Sequence, residues 1–180
     1  MKTLVSGLLN LTVIAAVSFT GWQAAIAQSN GEVERQTQIQ VECMAMNIYH
    51  EARGSSLADQ AATADVVINR VYDTRYPNTI CEVVHQGPVR PSWNDETVMV
   101  PVRNQCQFSW WCDGRDDTPR DQDHWVAAQT LAYQIVVNGA YRGITEGATH
   151  YHATYVSPRW ASDLQLVGRI GAHIFYRWDK

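Results

Sequence analysis

Apolar residues recur at three- and four-residue steps along most of this chain and switch to alternation only near its end, and that switch bounds the fold. From Thr37 to Arg53, Ile39, Cys43, Met46 and, on the adjoining row, Met44 and Ile48 follow helical spacing. Gly54 supplies the stop. Ser55 or Ser56 then caps a second helix, with Asp59 near its positive end and Leu57, Ala61, Ala64, Val67, Ile68 and Val71 as its apolar face. Tyr76-Pro77-Asn78 reads as a turn, and Thr79 to His85 as a short helix carrying Val83 and Val84 inward. Gln86 to Pro119 is irregular, rich in Pro and Gly. Helical spacing returns from Pro119 to Asn138 through Trp125, Ala128, Leu131, Ala132, Ile135 and Val136. Ala148 to Ala153, Gln165 to Gly168 and His173 to Tyr176 read as strands. The expected fold is α+β and mainly helical, with a small antiparallel sheet near the C-terminus.

The first residues follow the grammar of a secretory signal peptide. Lys2 gives the positive start, Leu4 to Phe19 carries no charge, and Ala25-Ile26-Ala27 sets small residues at the cleavage positions. The expected organisation is a signal peptide over 1–27, a flexible leader over 28–36, and a single domain over 37–180. The expected location is periplasmic or secreted, with no membrane association once the signal is removed. A net charge of −4, without a basic cluster, argues against nucleic acid as a partner. Seven Trp and eight Tyr suit a surface that stacks on neutral sugars, although most aromatics in any domain are core. In an exported chain the four cysteines, Cys43, Cys81, Cys106 and Cys112, point to disulfides. Three connectivities are open. Cys106 with Cys112 would close a small ring and leave Cys43 with Cys81.

The candidate chemistry centres on Tyr49-His50-Glu51-Ala52-Arg53-Gly54. A glutamate at the end of an apolar helix, beside a loop, is placed to act as a general acid, because burial against Tyr and Met raises its pKa. By position alone, a solvated carboxylate paired with an arginine is the commoner arrangement. His50-Glu51 begins like a zinc-protease motif, but Gly54 stands where the second histidine would be. No nucleophile elbow of the form G-x-S-x-G occurs. His150-x-His152 sets two imidazoles on one strand face, where packing or hydrogen bonding is a commoner role than metal ligation.

Five ordered segments resemble the SleB/CwlJ cell wall hydrolase family. They are Cys43 to Gly54, Val66 to Val71 with Tyr76 to Thr79, Gln105 to Trp110, Ala148 to His152, and Ile170 to Tyr176. Together they span nearly all of 37–180 and match least between Gln86 and Arg103. The resemblance implies a lysozyme-like helical domain, related to goose-type lysozymes and lytic transglycosylases, with Glu51 as the catalytic acid. It implies peptidoglycan as substrate and cleavage between N-acetylmuramic acid and N-acetylglucosamine. A single-carboxylate scheme yielding 1,6-anhydro ends is expected, with no cofactor and no metal. Asn69 and Ser109 are expected to hydrogen-bond sugar substituents, Phe108 and Trp110 to line the cleft, and Tyr151 to steady Glu51. Asp59 is expected as a helix-start charge and Arg53 as structural. The rival readings are a hydrolytic muramidase, an N-acetylmuramoyl-L-alanine amidase, and a non-catalytic wall-binding module. The expected oligomeric state is monomeric.

Overall fold

The structure, a computed structural model, describes residues 10–179. The chain divides into a first unit ending at Gln38 and a second beginning at Ile39. Helix α1 spans Asn10–Ala52, so 28–36 is helical rather than the flexible leader expected. Its polar side chains support one another: Arg35 donates to both Glu32 carboxylate oxygens, and Gln36 donates to Glu32 Oε1. Such three- and four-residue pairs favour helix without a buried face. The expected signal peptide lies partly outside the described residues.

In the second unit, Val41, Met44, Ala45, Ile48 and Tyr49 of α1 pack against Ala64, Val67 and Ile68 of α2 (Leu57–Tyr72), Val83 and Val84 of α3 (Ile80–Val84), and Leu131 and Ile135 of α4 (Gln122–Val136). Gly54, at φ 79°, closes α1 in the left-handed conformation that favours glycine. The Ser56, Thr79 and Asp121 side chains cap α2, α3 and α4 by accepting backbone N–H bonds. Cys43 is bonded to Cys81, tying α3 to α1, and Cys106 to Cys112. The segment expected to be irregular holds a two-stranded hairpin of β1 (Val89–Pro91) and β2 (Met99–Pro101), which the sequence pattern does not announce.

Three antiparallel strands follow in the order β3-β5-β4: β3 (His150–Ala153), β5 (His173–Arg177) and β4 (Gln165–Ile170). Each begins and ends within two residues of the strand expected there. Tyr151 pairs with Phe175 and Ala153 with His173, so these four share one face by the two-residue period of a strand. Phe175 is fully buried with Ala62 and Val66 of α2. Helix α2 therefore lies between the helical core and the sheet, and every residue from Ala61 to Ile68 is buried.

Burial on all sides forces the polar residues of α2 to find partners inside. Asp65 is 2% exposed and accepts bonds from Gly143 N at 3.0 Å, Thr145 N at 3.0 Å and Thr145 Oγ1 at 2.6 Å. It is neither solvated nor facing a cleft; it anchors the turn that leads into β3. Removing the carboxylate in Asp65→Ala strands the two buried Thr145 donors, at about 1–3 kcal/mol for an unsatisfied group. We expect the variant to lose about 3 kcal/mol or more of unfolding free energy, measured by urea denaturation. A loss below about 0.5 kcal/mol, the range of an ordinary surface substitution, would show that this turn holds without Asp65.

Candidate active site

Glu51 sits on the last turn of α1, half-buried. Three other elements bring polar groups to it. The Tyr151 hydroxyl, from β3, donates to Glu51 Oε2 at 3.1 Å. His173, from β5, and Arg70, from α2, act on the carboxyl through their charges. Burial holds the Glu51 carboxyl above its ordinary value of 4.5; Tyr151, His173 and Arg70 oppose that rise without cancelling it. The site therefore favours a neutral acid, with donors and cations arranged to receive the anion left after the proton departs. Burial pushes the Tyr151 phenol well above 10, and the nearby Glu51 adds to it. The phenol is thus a hydrogen-bond donor throughout the working range.

Arg70 is 5% exposed. Its Nε donates to Thr149 O at 2.8 Å, and its guanidinium carbon lies 5.2 Å from the ring centres of both Tyr76 and Phe108. Burial lowers its pKa, while Tyr76, Tyr151 and Glu51 favour its charge. Its Nη1 is buried without a partner among the described residues. Asp59 stands in the first turn of α2, as the sequence reading placed it, and is fully buried there. Its Oδ1 meets His173 Nδ1 at 2.8 Å, and its Oδ2 accepts from Ala172 N at 3.0 Å.

Of the other anticipated site residues, Asn69 donates to Thr145 Oγ1 and Ala148 O, at 3.0 and 2.9 Å, and so braces the approach to β3. Phe108 and Trp110 are 3% and 7% exposed. They fill the core instead of lining an open surface. Trp110 donates to Asn47 Oδ1 at 3.3 Å and stacks on His50 with ring centres 4.7 Å apart. Ser109 between them is exposed. The most exposed aromatics are Trp93 and Tyr155, both 89% exposed. Arg53 turns from Glu51 to the Tyr49 hydroxyl at 2.7 Å, as its two-residue offset on the helix requires.

His150 and His152 share the outer sheet face, with Trp160, Tyr176 and Trp178 around them. Burial, then Arg70 and Arg75, lowers His150 to about 4. Among the described residues no three His, Cys, Asp or Glu side chains converge to hold a metal. A cavity of about 540 Å³ beside His50 and Arg53 is also lined by Arg115, Asp116 and Arg120. It lies on the Tyr49 and Arg53 side of α1, not at Glu51. Sequence reasoning missed Arg70, Asp59 and His173. The available signal was a charged residue in the buried phase of a helix or strand: Asp59, Thr63, Val66 and Arg70 form one stripe, and His173 shares its phase with Phe175.

The Cell Wall Hydrolase family model matches residues 54–176, a span that opens three residues after Glu51. No curated protein matches the chain. The crystal structure of the catalytic domain of the Bacillus cereus SleB protein is 22% identical, with a TM-score of 0.54, covering 78% of this chain and 91% of that one. The catalytic domain of the germination-specific lytic transglycosylase SleB from Bacillus anthracis is also 22% identical, with a TM-score of 0.54, covering 77% and 93%. At that identity the likeness speaks for the fold, which is the mainly helical, lysozyme-like domain with a small C-terminal sheet anticipated above.

The raised Glu51 value has a measurable consequence. The folded state holds this proton more tightly than the unfolded chain, so its stabilising contribution is complete below about pH 4.5 and is lost as pH rises through the folded-state value. Glu51→Gln cannot ionise and keeps that contribution. The melting temperature of Glu51→Gln relative to the parent should therefore rise between about pH 4 and about pH 8, as read by scanning calorimetry. A constant difference across that range would remove the buried-acid description.

Proposed function

This chain belongs to the cell wall hydrolase family, and from its membership of a family of peptidoglycan-cleaving enzymes we propose that it cuts the glycan strand between N-acetylmuramic acid and N-acetylglucosamine, with Glu51 as the single general acid and base. The observation that carries this reading is the half-buried Glu51 carboxyl, its pKa raised by burial and its Oε2 bonded to Tyr151. Glu51 protonates the glycosidic oxygen, and the sugar moves toward an oxocarbenium-like state. The substrate's own acetamido group stabilises that charge, as in substrate-assisted glycosidases. Ionised Glu51 then takes the proton of the muramyl 6-hydroxyl, whose oxygen closes on C1 to leave a 1,6-anhydro end.

The fate of the neighbouring carboxylates supports a single-carboxylate scheme. Retaining and inverting glycosidases ordinarily use two. Asp59 and Asp65, on the helix beside Glu51, are both buried and committed to internal bonds. The description of the Bacillus anthracis relative as a lytic transglycosylase agrees with the same outcome; its role in germination is not carried over. Cleavage after Ala27 and a periplasmic or secreted location complete the reading. The two disulfides fit an oxidising compartment, and no described helix is long and apolar enough to cross a membrane.

The test is mass spectrometry of the soluble products released from peptidoglycan sacculi by the purified protein. Muropeptides ending in 1,6-anhydro-muramic acid are expected. Reducing muramic ends would make the protein a hydrolytic muramidase, and free stem peptides an amidase. Wall binding without any soluble product would favour a non-catalytic module. Glu51→Gln should lower turnover by about 10²-fold or more.

A further inference from the structure

Behind the acid lies a buried ionisable pair that the scheme above does not use. Asp59 is fully buried and His173 is 8% exposed. Asp59 Oδ1 lies 2.8 Å from His173 Nδ1. The backbone is shaped to permit this approach. Gly171 has φ 57°, and a Cβ there would stand 2.6 Å from Asp59 Cβ and Cγ, so only glycine lets the β4–β5 turn come so close. The His173 ring in turn meets the Tyr151 ring edge to face, with centres 5.2 Å apart and planes at 82°. The Tyr151 hydroxyl is the group that donates to Glu51. A continuous line of contacts thus runs from Asp59 through His173 and Tyr151 to the acid.

A turn anchor alone does not account for the chemistry of this pair. The Ala172 N–H needs one acceptor, which a neutral amide would supply without burying a carboxylate, and a buried ion costs several kcal/mol. What a carboxylate adds is a fixed imidazole. It demands a proton on Nδ1 and so sets the polarity of Nε2, as an aspartate does for a catalytic histidine. Resting on the reading of Glu51 as the acid, we propose that Asp59 and His173 are a positioning dyad for it: Asp59 fixes the tautomer and tilt of the His173 ring, and that ring sets the Tyr151 phenol and the local field at Glu51.

The informative variant is Asp59→Asn. Its oxygen can still accept from Ala172 N, but its amide would donate to His173 Nδ1 and invert the imidazole tautomer. We expect turnover on sacculi to fall by about a hundredfold, with KM little changed, the melting temperature close to that of the parent, and the His173 tautomer reversed by nitrogen NMR. A second readout needs no turnover. The titratable and charged groups acting on Glu51 are Tyr151 from β3, His173 from β5 and Arg70 from α2. His173→Asn removes the ring that rests edge-on against Tyr151, the donor to Glu51, so the Glu51 carboxyl titration should move in carbon NMR. Parent-like turnover in Asp59→Asn, a loss of turnover matched by an equal loss of folded protein, or an unmoved Glu51 midpoint in His173→Asn would each overturn the dyad. Glu51→Gln run in parallel separates the two ideas. Turnover surviving there removes the acid itself, whereas an inactive Glu51→Gln beside a parent-like Asp59→Asn removes only the dyad.

Discussion

Helix α2 has no solvent face between Ala61 and Ile68, and the second unit of the chain is arranged around that constraint. One flank, through Ala64, Val67 and Ile68, belongs to the helical core; the other, through Ala62 and Val66, belongs to the sheet. Alanines at 61, 62 and 64 allow neighbours to come close on both sides. A helix in that position cannot leave its polar groups to water; Thr63 turns back to Gln60 O in its own helix, and four others reach into the C-terminal third of the chain. Asp59 holds Ala172 and His173, Asp65 holds Gly143 and Thr145, Asn69 holds Thr145 and Ala148, and Arg70 holds Thr149. These bonds join segments roughly 75 to 115 residues apart, where loop closure is costly and a buried polar group without a partner is costlier still. The same bonds deliver Tyr151 and His173 to the end of α1.

At Glu51 two opposed effects decide the chemistry. Burial penalises the anion by an amount that for a deeply buried ion reaches several kcal/mol. A hydrogen bond from a phenol to a carboxylate returns about 1.5–3 kcal/mol, and the charges of Arg70 and His173 add to it. Burial prevails, since the carboxyl stays above 4.5, so Glu51 holds its proton more tightly than a solvated glutamate does. The margin is narrowed by groups already in place when the proton leaves, and an anion formed there meets donors without reorganisation. The role proposed for Glu51, an acid that serves next as a base, requires that compromise. A fully apolar pocket would hold the proton but never release it, and a fully solvated one would lose it before substrate arrived.

The helices were legible because their apolar period is regular and their caps are chemically explicit: Ser56, Thr79 and Asp121 each accept from the third residue on. Two elements escaped for opposite reasons. The β1–β2 hairpin buries nothing completely, its strands reading as exposed or intermediate at every position, so no inside–outside alternation marks it. Over 28–36, α1 has no apolar stripe; side-chain pairs such as Glu32 with Arg35 support it. At the site, Glu51 and Tyr151 were recognisable from motif resemblance. The roles of Asp59, Arg70 and His173 were not, because a charged residue near a helix start or in a strand looks solvated until the element covering it is known.

The aromatic residues show how composition misleads at such a site. A count of Trp and Tyr invites the idea of a sugar-stacking surface, yet Phe108 and Trp110 are spent on closing the core beneath the end of α1. The Cys106–Cys112 ring shapes that closure. Gln107 N bonds to Gln86 O, Gly87 packs so tightly on Cys106 that an added Cβ would stand 2.9 Å from its sulfur, and the following turn presents Trp110 to Asn47 and His50. The two residues on either side of this contact, Asn47 and His50, lie one turn and one residue before Glu51. A segment with no regular structure for most of its length thus fixes the helix end on which Glu51 stands.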